Sequence, residues 1–366
     1  MASAAEQAAM QRAVALAAEA VGRTNPNPAV GAVVLDADGH PAGEGATAAI
    51  GGPHAEVQAL AVAGDRANGG TLVVTLEPCR HTGRTAPCTD AIIAAGIRRV
   101  VFALADPHDV ASGGAEDLTA HGVEVEQGVG ADAARADLDP WLVAVRRRRP
   151  FMTWKYAATL DGRTAAADGT SRWITGPQAR RDVHRLRARC DAVVVGIGTV
   201  LADDTALTVR DWPTQRQPLR VVVDGKARTP MSARILDDAA PTLVAVGDDA
   251  DAERVKQLRA SAAEVVELPR SHGRLDLRSL LVLLYERDAL QLLLEGGATI
   301  AGSFVRERLV DRVVGYYAPA LLGAGPPVLS DAGVGTIAGA LRLAVDDVQL
   351  VGPDVRISAT LEREER

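Results

Sequence analysis

The sequence predicts an α/β protein of two domains, each a sheet layered with helices. Three observations predict it. Helix-patterned and β-branched segments alternate through both halves, the order that produces sheets covered by helices. The 366 residues suffice for two or three domains, and the 47% that are apolar can fill substantial cores. Near the middle, a helical stretch over Asp137–Arg149 ends in a basic run and meets Pro150, which stops it. The boundary is placed there, giving domains 1–149 and 150–366. The arginines of that run suit the negative end of the helix dipole and need no nucleic acid to explain them.

In the first domain, Met1–Ala20 is alanine-rich but carries Glu6, Arg12 and Glu19, which makes it an amphipathic helix and not a signal peptide. Asn25-Pro26-Asn27-Pro28 is turn chemistry. Val30–Leu35 is a strand, and Asp36–Gly39 turns it into a hairpin whose return strand holds Gly43–Gly45. His54–Ala63 is helical, with His54 and Glu56 in its first turn. Thr71–Leu76 is a β-branched strand, Cys88–Ala95 a helix ended by Gly96, and Arg99–Ala105 another strand. His54 and Cys88 then stand at helix N-termini, whose partial positive charge favours Cys88 as thiolate.

In the second domain, Phe151–Ala157 alternates as a strand and Leu160–Arg163 turns. Pro177–Arg189 is a strongly basic helix. Buried strands follow at Ala192–Gly196, Arg220–Asp224, Thr242–Val246, Glu264–Leu268 and Gln291–Leu294, with helical patterns at Asp251–Ala262 and Asp276–Asp288. A predominantly parallel sheet is expected. After the last strand, Gly296-Gly297 and a following helix allow close backbone approach and favour an anion. This is not the G-x-G-x-x-G of a dinucleotide fingerprint, and neither is Gly196–Val200.

Composition excludes several classes. The net charge of −7 argues against a general nucleic-acid surface. Three cysteines do not make a disulfide framework, so a reducing, cytoplasmic setting is expected. No run approaches the ~18 apolar residues of a membrane helix.

The chemistry concentrates in two short stretches, His54-Ala55-Glu56 and Glu77-Pro78-Cys79 with Cys88 beyond. One imidazole and two thiols suit a zinc site that keeps a fourth position for water. Glu56 is the natural proton carrier for that water. The pattern H-x-E…P-C marks zinc deaminases of nucleobases, with the glutamate as general acid/base and not a ligand. The second cysteine departs from that general pattern, because eight residues separate Cys79 from Cys88. The alternative is a closed structural site with His81 as fourth ligand. His108 and His121 are assigned to surface or loop. Asn27 is either a turn asparagine or a partner for a substrate amide.

Elsewhere, Arg172, Arg187 and Arg210 lie in segments adjoining strand ends and Lys155 lies on the first strand of this half; together they can bind a sugar phosphate on an otherwise acidic chain. Surface placement is the plainer reading for Arg180 and Arg181. Trp173 either stacks on a flat ring or fills core, and Cys190 is a small buried hydrophobe.

With these residues in hand, the chain resembles the bifunctional riboflavin-biosynthesis deaminase/reductase family. The similar stretches are NPNPAVGAVV at Asn25–Val34, HAEVQAL, LEPCRHTGRTAPC, KYAATLDGRTA at Lys155–Ala165, SRWITGPQAR at Ser171–Arg180, VGIGTVLADD at Val195–Asp204, LTVR at Leu207–Arg210 and EGGATIAGSF at Glu295–Phe304. They run in the family's order and span nearly the whole chain. The wide cysteine spacing is normal for that family.

The resemblance implies a cytidine-deaminase-like three-layer α/β/α domain followed by a dihydrofolate-reductase-like α/β domain. It implies Zn2+ on His54, Cys79 and Cys88, with Glu56 catalytic, and hydrolytic deamination of 2,5-diamino-6-(5-phosphoribosylamino)pyrimidin-4-one. It then implies NADPH-dependent reduction of the ribosyl unit to a ribityl chain. NADPH would contact Ala157, Trp173, Thr199, Asp203, Gly297, Ala298, Thr299, Ile300, Ala301, Gly302 and Ser303. The phosphorylated substrate would contact Ser171, Arg187, Leu207, Arg210 and Glu295, with Lys155 near the reacting sugar carbon. A homodimer formed through the second domain is also implied. Two positions depart from the family: Thr205 stands where proline is expected, and Gly225 where a hydroxyl residue commonly follows Val-Val-Asp. The alternatives are a deaminase whose second half is a nucleotide-binding regulatory module, and a nucleic-acid deaminase. The presence of Lys155, Asp203 and Glu295 favours catalysis over the former, and the acidic charge opposes the latter.

Overall fold

Ser3 starts the first helix of the protein in a computed structural model, which describes residues 1–81, 86–107 and 112–361. Its hydroxyl accepts from Glu6 N, and Glu6 returns a carboxylate to Ser3 N, a reciprocal cap that satisfies two orphan donors. The chain divides into two units, Met1–Arg149 and Pro150–Arg366.

The first unit runs α1 (Ala4–Ala20), β1 (Gly31–Leu35), β2 (Pro41–Ala46), α2 (Ala55–Ala63), β3 (Thr71–Leu76), α3 (Cys88–Ala94), β4 (Arg99–Leu104), α4 (Gly114–Ala120), β5 (Glu124–Gln127) and α5 (Ala131–Arg147). Its sheet has the order β2-β1-β3-β4-β5, antiparallel at the β2 side and parallel from β3 to β5. Period-2 alternation divides the strands between two helical layers. α1 buries Ala9, Met10, Ala13, Leu16, Ala17 and Ala20 on one face, which it shares with α5. On the other face α2 lies so close to β2 that a Cβ at Gly43 would stand 2.2 Å from the Ala59 carbonyl oxygen, and one at Gly45 2.6 Å from that of Ala55. Only glycine admits that approach, and it fixes the height of the turn that carries His54 and Glu56.

Two elements of this unit, α4 and β5, go unread in the sequence. α5 starts six residues before the expected Asp137, runs through Pro140, and ends at Arg147 with Arg148 in the left-handed region at φ 51°. A proline inside a helix costs about 3 kcal/mol. Burial of Leu138, Trp141, Leu142 and Val143 offsets that cost, and Trp141 donates to the Pro26 carbonyl at 3.0 Å.

The second unit runs β6 (Phe151–Thr159), α6 (Pro177–Ala188), β7 (Ala192–Gly196), α7 (Ile197–Asp203), β8 (Leu219–Val223), β9 (Thr242–Gly247), α8 (Ala252–Arg259), β10 (Glu264–Leu268), β11 (Arg270–Ser271), β12 (Arg274–Leu275), α9 (Leu277–Tyr285), β13 (Gln291–Leu294), α10 (Ala298–Arg306), β14 (Arg312–Ala318), β15 (Leu343–Val351) and β16 (Asp354–Leu361). Nine strands form one sheet in the order β10-β9-β8-β7-β13-β6-β14-β16-β15. It is parallel from β10 to β14 and antiparallel beyond. Alternate strand residues feed two cores. Val194, Val221, Leu243 and Leu292 meet α9 and α10, while Val193, Val222, Val244 and Leu293 meet α7 and α8. The expected parallel sheet is present; α7 and β14 to β16 were not anticipated.

One internal charge anchors this sheet. Arg220 on β8 is fully buried and donates to Thr242 Oγ1, to Asp237 Oδ1 and to the Asp237 and Ala240 carbonyls. Its donors are matched by acceptors, the condition for a buried guanidinium to be tolerated.

Candidate active sites

In the first unit the chain brings three distant segments to one point. His54 is the N-cap of α2, Cys79 follows β3, and Cys88 opens α3. His54 Nδ1 lies 3.6 Å from Cys79 Sγ and 3.3 Å from Cys88 Sγ, and the three donor atoms all fall within 4.8 Å of one another. Both sulfurs are buried and the imidazole is half-buried. One ring nitrogen and two thiols fit zinc with a fourth position left over. His81 does not join this set, so the closed structural site has no fourth ligand among the described residues. His108 lies outside the described residues. Asn27 closes a turn through its backbone with Thr24.

Without a metal, the Cys88 thiol donates to Cys79, and that bond together with burial raises Cys88 while it lowers Cys79, so the two buried sulfurs share a proton. Metal ligation removes both protons. Glu56, 4% exposed in the first turn of α2, is pushed up to about 7 chiefly by burial.

Sequence reasoning missed Glu77. Its buried carboxylate accepts from the backbone N–H groups of Asp106, Gly113 and Ala115 at 3.0–3.2 Å. It thereby pins the segments around β4 and α4 beside the Pro78-Cys79 turn. The available signal was an acid two residues before Cys79 in a strand-end turn.

The second unit holds a cleft of ≈ 1410 Å³ outside the carboxyl ends of β13, β7 and β8, with β6 alongside, the place where open parallel sheets take ligands. Of the residues singled out in the sequence, Lys155, Ala157, Ser171, Thr199, Asp203, Glu295, Gly297, Ala298, Thr299, Ile300 and Ser303 line it. A Cβ at Gly198 would meet nothing within 4 Å, and one at Gly297 only Thr199 Oγ1 at 3.9 Å. The backbone there is bare towards the cleft and fits an extended dinucleotide lying on the N-terminus of α10.

Six of the residues assigned to this site do not line the cleft: Ala301, Gly302, Leu207, Arg210, Arg187 and Trp173. Ala301 is core and Gly302 is buried. Leu207 is core too, in the left-handed region at φ 52°, so only its backbone can face a ligand. Arg210 is exposed and donates to Thr208 Oγ1 at 3.0 Å. Arg187 is engaged, donating to both oxygens of Glu295 at 2.5 and 2.9 Å and to the Thr208 carbonyl. That pairing keeps the Glu295 carboxyl below its ordinary value against its burial. Lys155 is held below its ordinary value by burial, with the Glu295 charge opposing. Trp173 is 69% exposed, which removes the core alternative, and Arg180 lies 4.3 Å over its ring. Arg180 is therefore not idle surface. Cys190, expected as a small buried hydrophobe, packs partly buried against the core, and burial pushes its thiol up to about 12.

A buried glutamate beside an imidazole–dithiol set, and a dinucleotide-sized cleft at parallel strand ends, define the class: an enzyme joining a zinc deaminase to a reductase. Comparison with known proteins agrees over the whole chain. Residues 3–104 match the cytidine and deoxycytidylate deaminase zinc-binding region, and residues 150–357 match the RibD C-terminal domain. The chain is 44% identical to riboflavin biosynthesis protein RibD of Mycobacterium tuberculosis over 96% of both chains. It is 41% identical to that of Escherichia coli, covering 94% of this chain and 96% of the other. Among solved structures it resembles Acinetobacter baumannii RibD, with TM-score 0.85, 37% identity and coverage of 98% and 99%. It also resembles a diaminohydroxyphosphoribosylaminopyrimidine deaminase/5-amino-6-(5-phosphoribosylamino)uracil reductase from Thermotoga maritima, with TM-score 0.86, 35% identity and the same coverage. The chain belongs to the RibD family of riboflavin biosynthesis proteins. Its halves are a cytidine-deaminase-like domain and a dihydrofolate-reductase-like domain, and its cofactors are zinc and NADPH. A second half serving only regulation is thereby set aside.

Proposed function

We propose that the first unit hydrolyses the amino group from 2,5-diamino-6-(5-phosphoribosylamino)pyrimidin-4-one, and that the second reduces the ribosyl unit of the resulting uracil to a ribityl chain. The observation that carries this is the convergence of His54, Cys79 and Cys88 beside a buried Glu56 whose carboxyl is raised to about 7. Zinc bound by those three residues supplies a Lewis acid that makes water nucleophilic near neutral pH. Glu56 takes one proton of the attacking water and passes it to the ring nitrogen, then takes the second from the hydroxyl now on the attacked carbon and delivers it to the amino group, which leaves as ammonia.

In the second unit NADPH supplies the hydride, and the protein orients it. Lys155 holds a proton for the sugar oxygen that opens, and its buried ammonium gives it up more readily than an exposed one. Glu295 anchors the sugar and is held in place by Arg187. Ser171, which lines the cleft, takes the substrate phosphate, and Arg210, outside the lining, is proposed to reach it from the rim. Among the described residues no carboxylate hydrogen-bonds to Arg210, so its charge is available.

The test supplies the diaminopyrimidine with and without NADPH, alongside metal analysis. Ammonia release alone is expected without NADPH, and NADPH oxidation follows when both are present. Glu56→Gln should keep its zinc and lose deamination by ~10²–10⁴-fold, yet reduce supplied intermediate at the parent rate. Reduction that failed equally in this variant would defeat the two-site reading.

Two copies are proposed to associate through the second unit. Supporting this, β15 carries an exposed apolar row. Its bulge between Val345 and Asp347 keeps Leu343, Val345, Val348 and Leu350 opposite Leu361, Ala359, Ile357 and Val355, all on one face. A cytoplasmic location suits the free cysteines, and no helix among the described residues is long and apolar enough to cross a membrane.

A further inference from the structure

Gly225 follows β8 at the foot of the cleft, where a hydroxyl side chain was expected. The space it leaves is faced by arginine. A Cβ on Gly225 would stand 3.4 Å from Arg270 Nη1. The β11–β12 hairpin carries Arg270 and Arg274, and both line the cleft, together with Lys226 and Arg228. No carboxylate lines this end; Asp203 and Glu295 are the acids of the whole lining. Of the nearby acids, Asp224 accepts from Thr229 through Oδ2 while its buried Oδ1 faces Arg228 Nε at 3.9 Å, and Asp249 accepts from Arg270 Nε, so Arg270 and Arg274 are the cations turned from Asp224. Asp249 and the Gly225 carbonyl hold Arg270 through Nε and Nη2, which orients the guanidinium and leaves Nη1 with one long contact, 3.4 Å to the Gly273 carbonyl. Arg274 is exposed and reaches Ser303 Oγ at 3.3 Å.

The strand order gives this cationic end a meaning. Neighbours run β6, β13, β7, β8. Lys155 stands on β6, Glu295 and bare Gly297 follow β13, Gly198 follows β7, and Gly225 follows β8. Adjacent strands lie about 4.8 Å apart, so Gly225 is displaced by about 10 Å from the β13 end, on the side away from Lys155. A dinucleotide whose reacting ring lies near Lys155 and whose pyrophosphate rests on the α10 N-terminus brings its adenosine to the β8 end.

We propose that Arg270 and Arg274 form the subsite for the 2′-phosphate of NADPH, in the space opened by Gly225, and so set the choice of NADPH over NADH. This rests on the reading of the cleft as the NADPH site. A phosphate dianion prefers such a fork of planar donors to a hydroxyl, because arginine adds charge and paired hydrogen bonds.

The test measures calorimetric binding of adenosine 2′,5′-bisphosphate and adenosine 5′-phosphate to the full-length enzyme, with NADPH as competitor. The parent should prefer the bisphosphate. Arg270→Gln and, separately, Arg274→Gln should each weaken bisphosphate binding by ~10–100-fold while leaving the 5′-phosphate within ~2-fold. Arg270→Lys should retain part of the preference. Loss of binding for both ligands alike in Arg270→Gln, with Arg274→Gln unchanged, would mark a merely structural role and overturn the proposal. An unchanged preference in both glutamine variants, with NADPH still displacing the bisphosphate, would sink the arginine assignment alone. Failure of NADPH to displace it would remove the cleft reading itself.

Discussion

Arg187 and Glu295 sit side by side in the second unit with side chains 11% and 8% exposed. Each neutralises the other, and Lys155 is the next charge in line. Cutting one partner strands the other out of water. Glu295→Gln should therefore cost about 3–5 kcal/mol, read as a lower unfolding midpoint for the second unit in urea. Replacing both by apolar residues of similar volume should restore most of that stability while abolishing reduction. A midpoint unmoved by Glu295→Gln would show that the pair carries no such burden. The same residue scale explains what could be read beforehand. His54, Glu56, Cys79 and Cys88 were legible because their chemistry is bound to short spacings along the chain. Arg270 and Arg274 were not, because only the fold brings β11 and β12 beside Gly225. The Arg187 pairing was hidden for the same reason, its partner lying 108 positions away.

At the scale of elements, the turn after β6 shows how one side chain ties two loops. Asp161 accepts from Thr159 Oγ1 at 2.5 Å, from Gly323 N at 2.6 Å and from Leu322 N at 3.2 Å. These bonds, the Thr159 hydroxyl foremost, hold its carboxyl down to about 2. An unfolded aspartate titrates near ~3.9. The folded value is the lower, so the contribution to stability is full above ~4 and fades as pH falls from ~4 to ~2. Asp161→Asn should be less stable than the parent at pH 5, and the gap in denaturation midpoint should narrow on acidification. A gap that widened would reverse the sign of the linkage. Most strands and long helices were legible from period and turn residues. α7 was hidden because seven residues carry little periodicity. β15 went unread because it is exposed along most of its length and shows no buried face to its own segment.

At the scale of the molecule, the exposed row on β15 is the surface on which the proposed second copy would pack. Leu350 is 79% exposed and Val345 63%. Leu350→Lys combined with Val345→Lys should halve the mass found by light scattering, while deamination continues at the parent rate. A parent that was already monomeric would remove the assembly proposal. The strand ends meanwhile order the cleft across the sheet, with Lys155 towards β6 and Lys226, Arg228, Arg270 and Arg274 towards β8.

The irregularity in β15 also limits growth. An outermost strand with a straight ladder invites unending lateral addition of further chains. The extra residue between Val345 and Asp347 twists that margin and interrupts its hydrogen-bonding rhythm, so the oily stripe can be covered face to face without templating a filament.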